Sequence, residues 1–167
     1  QPVIENFGRA CKRLTRLGVM VGPSFRYIIN SCATLCTLEI VLGDQDHALN
    51  SILGEFTHEG LRSNLQELQL LFTVCGTSET GLLSVVSETF PSLKILKVSP
   101  FSIGPKPATL SYASVHITEN ELRPFFFALP GLKELDIDGS LLVDGSLLVD
   151  RSQKGLFGDQ LLDYIGE

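Results

Sequence analysis

Apolar residues recur along this chain in the spacing Leu-x-x-Leu-x-(Leu/Ile/Val). The pattern stands at Leu14/Leu17/Val19, Leu35/Leu38/Ile40, Leu65/Leu68/Leu70, Leu93/Leu96/Val98 and Leu132/Leu135/Ile137. Within each unit the second and third positions alternate with polar residues, as a strand with one buried face requires. The segments LQELQLLF, LKILKVS and LKELDID show this most clearly.

Ahead of four of the units the period changes to that of a helix. Residues 24–33 place Phe25, Ile28, Ile29 and Cys32 on one face, and residues 46–56 do so with Leu49, Ile52, Leu53 and Phe56 behind an Asp46 N-cap. Residues 78–90 align Leu82, Val85, Val86 and Phe90 behind a Ser78 cap. Residues 118–129 open on Thr118 with Glu121 three residues later, a capping box, and Pro124 inside the pattern predicts a kink or a late start. Pro91 and Pro130 stop the last two helices just before the next strand.

The predicted order is therefore helix, turn, strand, repeated. A unit of that size buries its apolar face only by stacking on its neighbours, which makes a solenoid. The expected fold class is α/β, a leucine-rich repeat solenoid of about five units with parallel strands on the concave face and helices on the convex face. The first leucines of successive units lie 21, 30, 28 and 39 residues apart. The 39 contains an insertion at 99–113 with Pro100, Gly104, Pro105 and Pro107, which is expected to be an exposed loop. After Ile137 the hexamer GSLLVD occurs twice in tandem, at 139–144 and 145–150, compatible with a hairpin or with a duplication inside a loop. Residues 158–165 read as a short final helix. No capping unit is recognisable, and the chain opens on Gln1 without an initiator Met. Residues 1–167 are thus expected to be one repeat domain belonging to a longer chain.

Length and composition agree with an ordered domain: 167 residues, 44% hydrophobic and 19% charged. The net charge is −6, with 6 basic and 8 acidic residues in 1–80 and 7 and 11 in 81–167. No basic stripe exists for a phosphate backbone, which argues against a nucleic-acid partner. No apolar run approaches the ~18–20 residues of a membrane-spanning helix, so no membrane partner is expected.

The cysteines are Cys11, Cys32, Cys36 and Cys75. Cys11 and Cys32 stand three residues before Leu14 and Leu35, where Phe90 and Leu129 stand before Leu93 and Leu132. A position that takes Cys, Phe or Leu is a buried apolar slot, so free structural thiols are expected and a cytoplasmic or nuclear setting with them. Cys32 and Cys36 lack the two further ligands of a zinc site.

Frame sequences such as Cys11–Leu17 and Cys32–Leu38 resemble the cysteine-containing leucine-rich repeats of F-box proteins. Residues 90–101 (FPSLKILKVSPF) and 117–139 (ITENELRPFFFALPGLKELDIDG) are similar to the fungal type, and the likeness covers most of 7–140. It implies substrate-recognition repeats of a ubiquitin ligase subunit that presents a protein substrate. In that family an F-box binds a Skp-type adaptor. No F-box is recognisable here, so that partner attaches to no residue of this chain. The rival reading is a structural or sensor scaffold, of immune-receptor or inhibitor type, with no ubiquitin role.

Enzyme chemistry is not expected, and neither is a cofactor. His47, His58 and His116 lie near a helix start, in a helix-end segment and just before a helix, with no nucleophile at fixed spacing. There is no Gly-x-Ser-x-Gly elbow and no glycine loop for phosphate. Asp136-x-Asp138-Gly139 opens like a calcium loop but lacks the later oxygen ligands and the bidentate Glu at the required offset, and Asp144 and Asp150 would supply carboxylates only through a fold that the spacing does not define.

The expected partner surface is the outward side of the strands. Gly18, Glu39, Gln69, Lys97 and Asp136 hold the position between the second and third frame residues, and Met20, Val41, Leu71, Ser99 and Asp138 the position after the third. Met20, Val41 and Leu71 are expected to form an apolar strip that gives way to polar and acidic groups, which is either a partner site or a surface that an N-terminal segment or a loop covers. Lys94, Lys97 and Lys133 beside Glu67, Glu134 and Asp136 would tune association with a charged partner.

Overall fold

The computed structural model describes residues 11–42, 49–73, 78–101, 114–117 and 119–138. Five strands make one sheet: β1 (Arg16–Met20), β2 (Thr37–Leu42), β3 (Glu67–Phe72), β5 (Ile95–Pro100) and β7 (Glu134–Ile137). Their order across the sheet is their order in the chain, and every neighbouring pair is parallel. Strands β4 (Ser78–Thr80) and β6 (Ser114–His116) form a separate two-stranded parallel pair. The helices between strands are α1 (Phe25–Asn30), α2 (Leu49–Leu53), α3 (Glu59–Asn64), α4 (Leu82–Thr89) and α5 (Glu119–Ala128). The protein is thus α/β, with a parallel sheet whose crossovers carry helices, as parallel pairing demands.

Register follows the leucine frame. Leu17, Leu38, Leu68, Leu96 and Leu135 pair across the five strands, and so do Val19, Ile40, Leu70, Val98 and Ile137. In β2, β3 and β5 all of these are buried, whereas Leu17 and Val19 in β1 and Ile137 in β7 are half-buried, these being the strands with a neighbour on one side only. The inward residues share one core with Phe25 and Ile29 of α1, Ile52 and Leu53 of α2, Leu61 of α3, Leu83 and Val86 of α4 and Phe125 of α5. Phe56 stands edge-on to Phe25 at 5.8 Å and to Phe90 at 5.0 Å, a three-ring line through that core.

The same backbone bonds recur at each entry to the sheet. The carbonyl one residue past each frame leucine accepts two N–H groups from the next unit. Thr15 accepts from Cys36 and Thr37 at 2.8 and 3.0 Å, and Cys36 from Gln66 and Glu67 at 2.8 and 3.0 Å. Gln66 accepts from Lys94 and Ile95 at 2.7 and 3.0 Å, and Lys94 from Lys133 and Glu134 at 2.7 and 3.1 Å. Before the frame leucine the turn is also shared: Leu14, Leu35, Leu93 and Leu132 donate to the carbonyls of Cys11, Cys32, Phe90 and Leu129. All four of those slot residues are buried. The third unit departs, because α3 runs straight into its frame leucine and Leu65 donates to Leu61 four residues back.

Several expectations need correction. Residues 78–90 are not one helix capped by Ser78: residues 78–80 are strand β4, paired to β6, and α4 begins after Gly81, which sits at φ +73°. The helix predicted over 46–56 is regular only over Leu49–Leu53 among the described residues, and its Asp46 cap lies outside them. His58 is not at a helix end; it begins α3, which the apolar pattern did not announce because Leu61 is its one buried residue. Ser99 and Pro100 belong to β5 and not to the loop expected over 99–113. Pro100 is tolerated there because β5–β7 pairing has already ended: Val98 accepts from Asp138 at 2.8 Å, and Pro100 has no N–H to extend the ladder on that side. Pro124 lies within α5, which continues past it. Residues 102–113 of that insertion, the Thr118 cap, the tandem hexamer with Asp144 and Asp150, the final helix at 158–165, His47 and Cys75 lie outside the described residues.

Candidate functional site

Alternation along each strand sends every second side chain to the side of the sheet away from the core. Because the five strands are in phase, those side chains line up in rows. Gly18, Glu39, Gln69, Lys97 and Asp136 pair in order across the sheet, as their spacing predicts. A second row, Arg16, Thr37, Glu67, Ile95 and Glu134, pairs one step earlier. Sequence reasoning did not assemble that row, although the alternation that gave the first one contains it.

The third row is Met20, Val41, Leu71 and Ser99, again in register. It is not a uniformly open apolar strip. Met20 is 58% exposed, but Val41 and Leu71 are each only 8% exposed. Neither belongs to the core on the helical side. Apolar exposure on this face therefore sits at the β1 edge, on Met20.

Charge is concentrated at the other edge. Lys97 Nζ lies 2.9 Å from Glu134 Oε1, and both side chains are partly open to water. This pairing with Glu134 holds the Lys97 ammonium above the usual lysine range, with burial opposing and Glu67 and Asp136 reinforcing. Thr37 Oγ1 donates to Glu67 Oε2 at 3.4 Å, a long bond that steadies the carboxylate between β2 and β5. Lys94 Nζ donates to Gln66 Oε1 at 3.0 Å, while Lys133 is exposed. At the β1 edge the Glu39 side chain leans over Gly18: a Cβ built on Gly18 would meet Glu39 Oε1 at 3.6 Å.

The histidines among the described residues, His58 and His116, belong to elements other than the five-stranded sheet. His58 caps α3, its Nδ1 accepting from the Gly60 N–H at 3.1 Å, and its own N–H donates to Asn30 Oδ1 at 3.1 Å. His116 ends β6, opposite Thr80. Cys11 and Cys32 are buried free thiols and Cys36 is half-buried and free. Burial, with a hydrogen bond to Cys11 and its proximity, pushes the Cys32 thiol up to about 12, so it behaves as an apolar group. Among the described residues no three His, Cys, Asp or Glu side chains stand together as metal ligands, and no helix is long and apolar enough to cross a membrane.

No family model matches the chain, and neither a curated protein nor a solved structure matches it.

Proposed function

We propose that this chain is a leucine-rich repeat solenoid that binds a protein partner through the outward face of its strands, as the substrate-recognition repeats of an F-box-type ubiquitin ligase subunit. The observation that carries this reading is the shared register. Five strands with leucines inward align two rows of side chains outward across every unit, and a third across the first four strands. Repeat proteins use such surfaces to hold other macromolecules. The outward rows mix an exposed thioether, an amide and charges of both signs, chemistry suited to recognition.

The test uses the protein expressed from its intact gene. It should co-purify with a Skp-type adaptor and with a protein substrate, and Met20→Asp or Lys97→Glu should lose the substrate while retaining the adaptor. Retention of a partner with no adaptor would leave a binding scaffold without a ubiquitin role. Undiminished partner binding in both variants would remove the sheet face from consideration.

A further inference from the structure

We infer that the first two units carry a redox-sensitive clasp: Cys11 and Cys32 stand opposite each other in adjacent turns and close into a disulfide that locks the edge strand β1 to β2. Every pair between β1 and β2 is offset by 21 residues, from Arg16 on Thr37 to Met20 on Val41, and the same offset carries Cys11 onto Cys32. The two turns that hold them are alike, Leu14 donating to the Cys11 carbonyl at 3.1 Å and Leu35 to that of Cys32 at 3.2 Å. They are also tied to each other. Thr34 Oγ1 donates to the Lys12 and Leu14 carbonyls at 3.0 and 3.1 Å, and the Cys36 N–H donates to the Thr15 carbonyl at 2.8 Å. Neighbouring strands run roughly 4.8 Å apart, which sets the two Cα atoms inside the ~4.4–6.8 Å that a disulfide spans. Both side chains belong to the same core, and the two thiols are in hydrogen-bond contact. In later units Phe90 and Leu129 fill this slot, so the sulfur pair exists because two successive units carry Cys there.

In the reduced state the slot is shut, with Cys11 2% exposed and Cys32 wholly buried. Cys32 Sγ also donates to the Ile28 carbonyl at 3.3 Å, which favours the protonated, unreactive thiol. Oxidation therefore waits on opening of β1, which has one neighbour among the described strands and so opens more readily than the strands inside the sheet. Once uncovered, the Cys11 thiolate attacks a low-molecular-weight disulfide such as oxidised glutathione. A mixed disulfide forms and one small thiolate leaves. Before the slot shuts again, the Cys32 thiolate attacks the Cys11 sulfur, the mixed bond breaks and the second small thiolate leaves. Two protein thiols are oxidised, one small disulfide is reduced to two thiols, and the two protons end on the released thiolates. Cys36 is the competing thiol, free and half-buried, but its Sγ bonds to the Thr34 carbonyl at the entry to β2, outside the slot. Once formed, the link holds β1, and Met20 with it, on the sheet where the reduced edge would open.

The experiment is incubation of the chain with oxidised glutathione, followed by acid quenching and peptide mapping without reduction, on the wild type and on the double variant Cys36→Ser/Cys75→Ser. A Cys11–Cys32 link is expected in both, formed at a rate independent of protein concentration, faster in dilute urea and removed by dithiothreitol. The oxidised double variant should unfold about 5–10 °C above its reduced form. Adding Cys11→Ser or Cys32→Ser should abolish both the link and that gain. Mapping of the wild type decides by itself if the double variant does not fold. Glutathione left on Cys11 or Cys32 with no link between them would overturn the clasp, as would either thiol pairing with Cys36 in preference. A Cys11–Cys32 link that lowered the unfolding temperature would overturn it too, since the native slot would then not accommodate the bond. So would two thiols that stayed reduced in dilute urea while Cys36 reacted.

Discussion

The side chain of Asn30, at the end of α1, holds the backbone at His58, where α3 begins. Its Oδ1 accepts from the N–H groups of Thr57 and His58, both at 3.1 Å, and from Thr57 Oγ1 at 3.2 Å. Its Nδ2 donates to the carbonyls of Arg26 and Glu55 at 2.9 and 2.8 Å. One amide therefore joins two successive units on the helical side and fixes where the unannounced helix starts. Asn30→Ala should destabilise the protein by roughly 1–3 kcal/mol, because partly buried backbone groups lose their partners. Asn30→Asp keeps the acceptor and loses both donors, and should fall between the two in urea denaturation.

Burial along the leucine row is graded, and stability should follow it. Leu68 and Leu96 are wholly buried between strands on both sides, and either change to Ala should destabilise by roughly 2–5 kcal/mol. Leu17 occupies the same frame position in β1 but is half-buried, so Leu17→Ala should show the smallest loss of the three. Equal losses at all three sites would contradict a stack whose outermost strand has a single neighbour.

The thiols should separate by accessibility. In a Cys75→Ser background, alkylation under native conditions followed by mass spectrometry should label Cys36 well before Cys11 or Cys32. The Cys32 shift also gives a pH dependence. Its folded value lies above the ordinary 9.0, so its contribution is fully present below 9.0 and is lost as pH rises toward about 12. Over that window the wild-type stability should fall more steeply than that of Cys32→Ala, by up to about 1.4 kcal/mol per pH unit.

Two glycines have backbone reasons for their identity. Gly81 holds φ +73° between β4 and α4, where a side chain is strained, so Gly81→Ala should destabilise by about 1 kcal/mol. At Gly60 a Cβ would stand 3.0 Å from His58 Cε1 and 3.2 Å from its Nδ1. Gly60→Ala should displace the capping imidazole, so the backbone amide of residue 60, bonded to His58 Nδ1 in the wild type, should exchange faster with solvent in the variant.

Much of the sheet was legible because its pattern is local and redundant. Leu38, Leu68 and Leu96 each sit in a short alternating run, and the same spacing recurs five times, so pairing and facing follow from one rule. The helices were read from their apolar faces, and where that face shrinks the reading failed. In α3, Leu61 is the one buried side chain, and the element is defined by a histidine cap and by Arg62, which donates to the Glu88 and Thr89 carbonyls of the next unit at 2.9 and 3.0 Å. Strand β4 is three residues long and pairs with residues 36 further along, a relationship no local period encodes. The outward rows were predicted in position but not in exposure. Val41 and Leu71 occupy the same row as Met20, yet each is 8% exposed where Met20 is 58%, a difference that alternation cannot report.

The recurring pair of N–H groups on a single carbonyl, at Thr15, Cys36, Gln66 and Lys94, separates the geometry of the sheet from the length of the crossovers. Connections that differ nearly twofold in length all return to the same docking point, so lengthening one leaves the pairing beyond it untouched. Evolution can therefore vary what hangs between two strands, and with it what the domain displays, without renegotiating the alignment of any other strand.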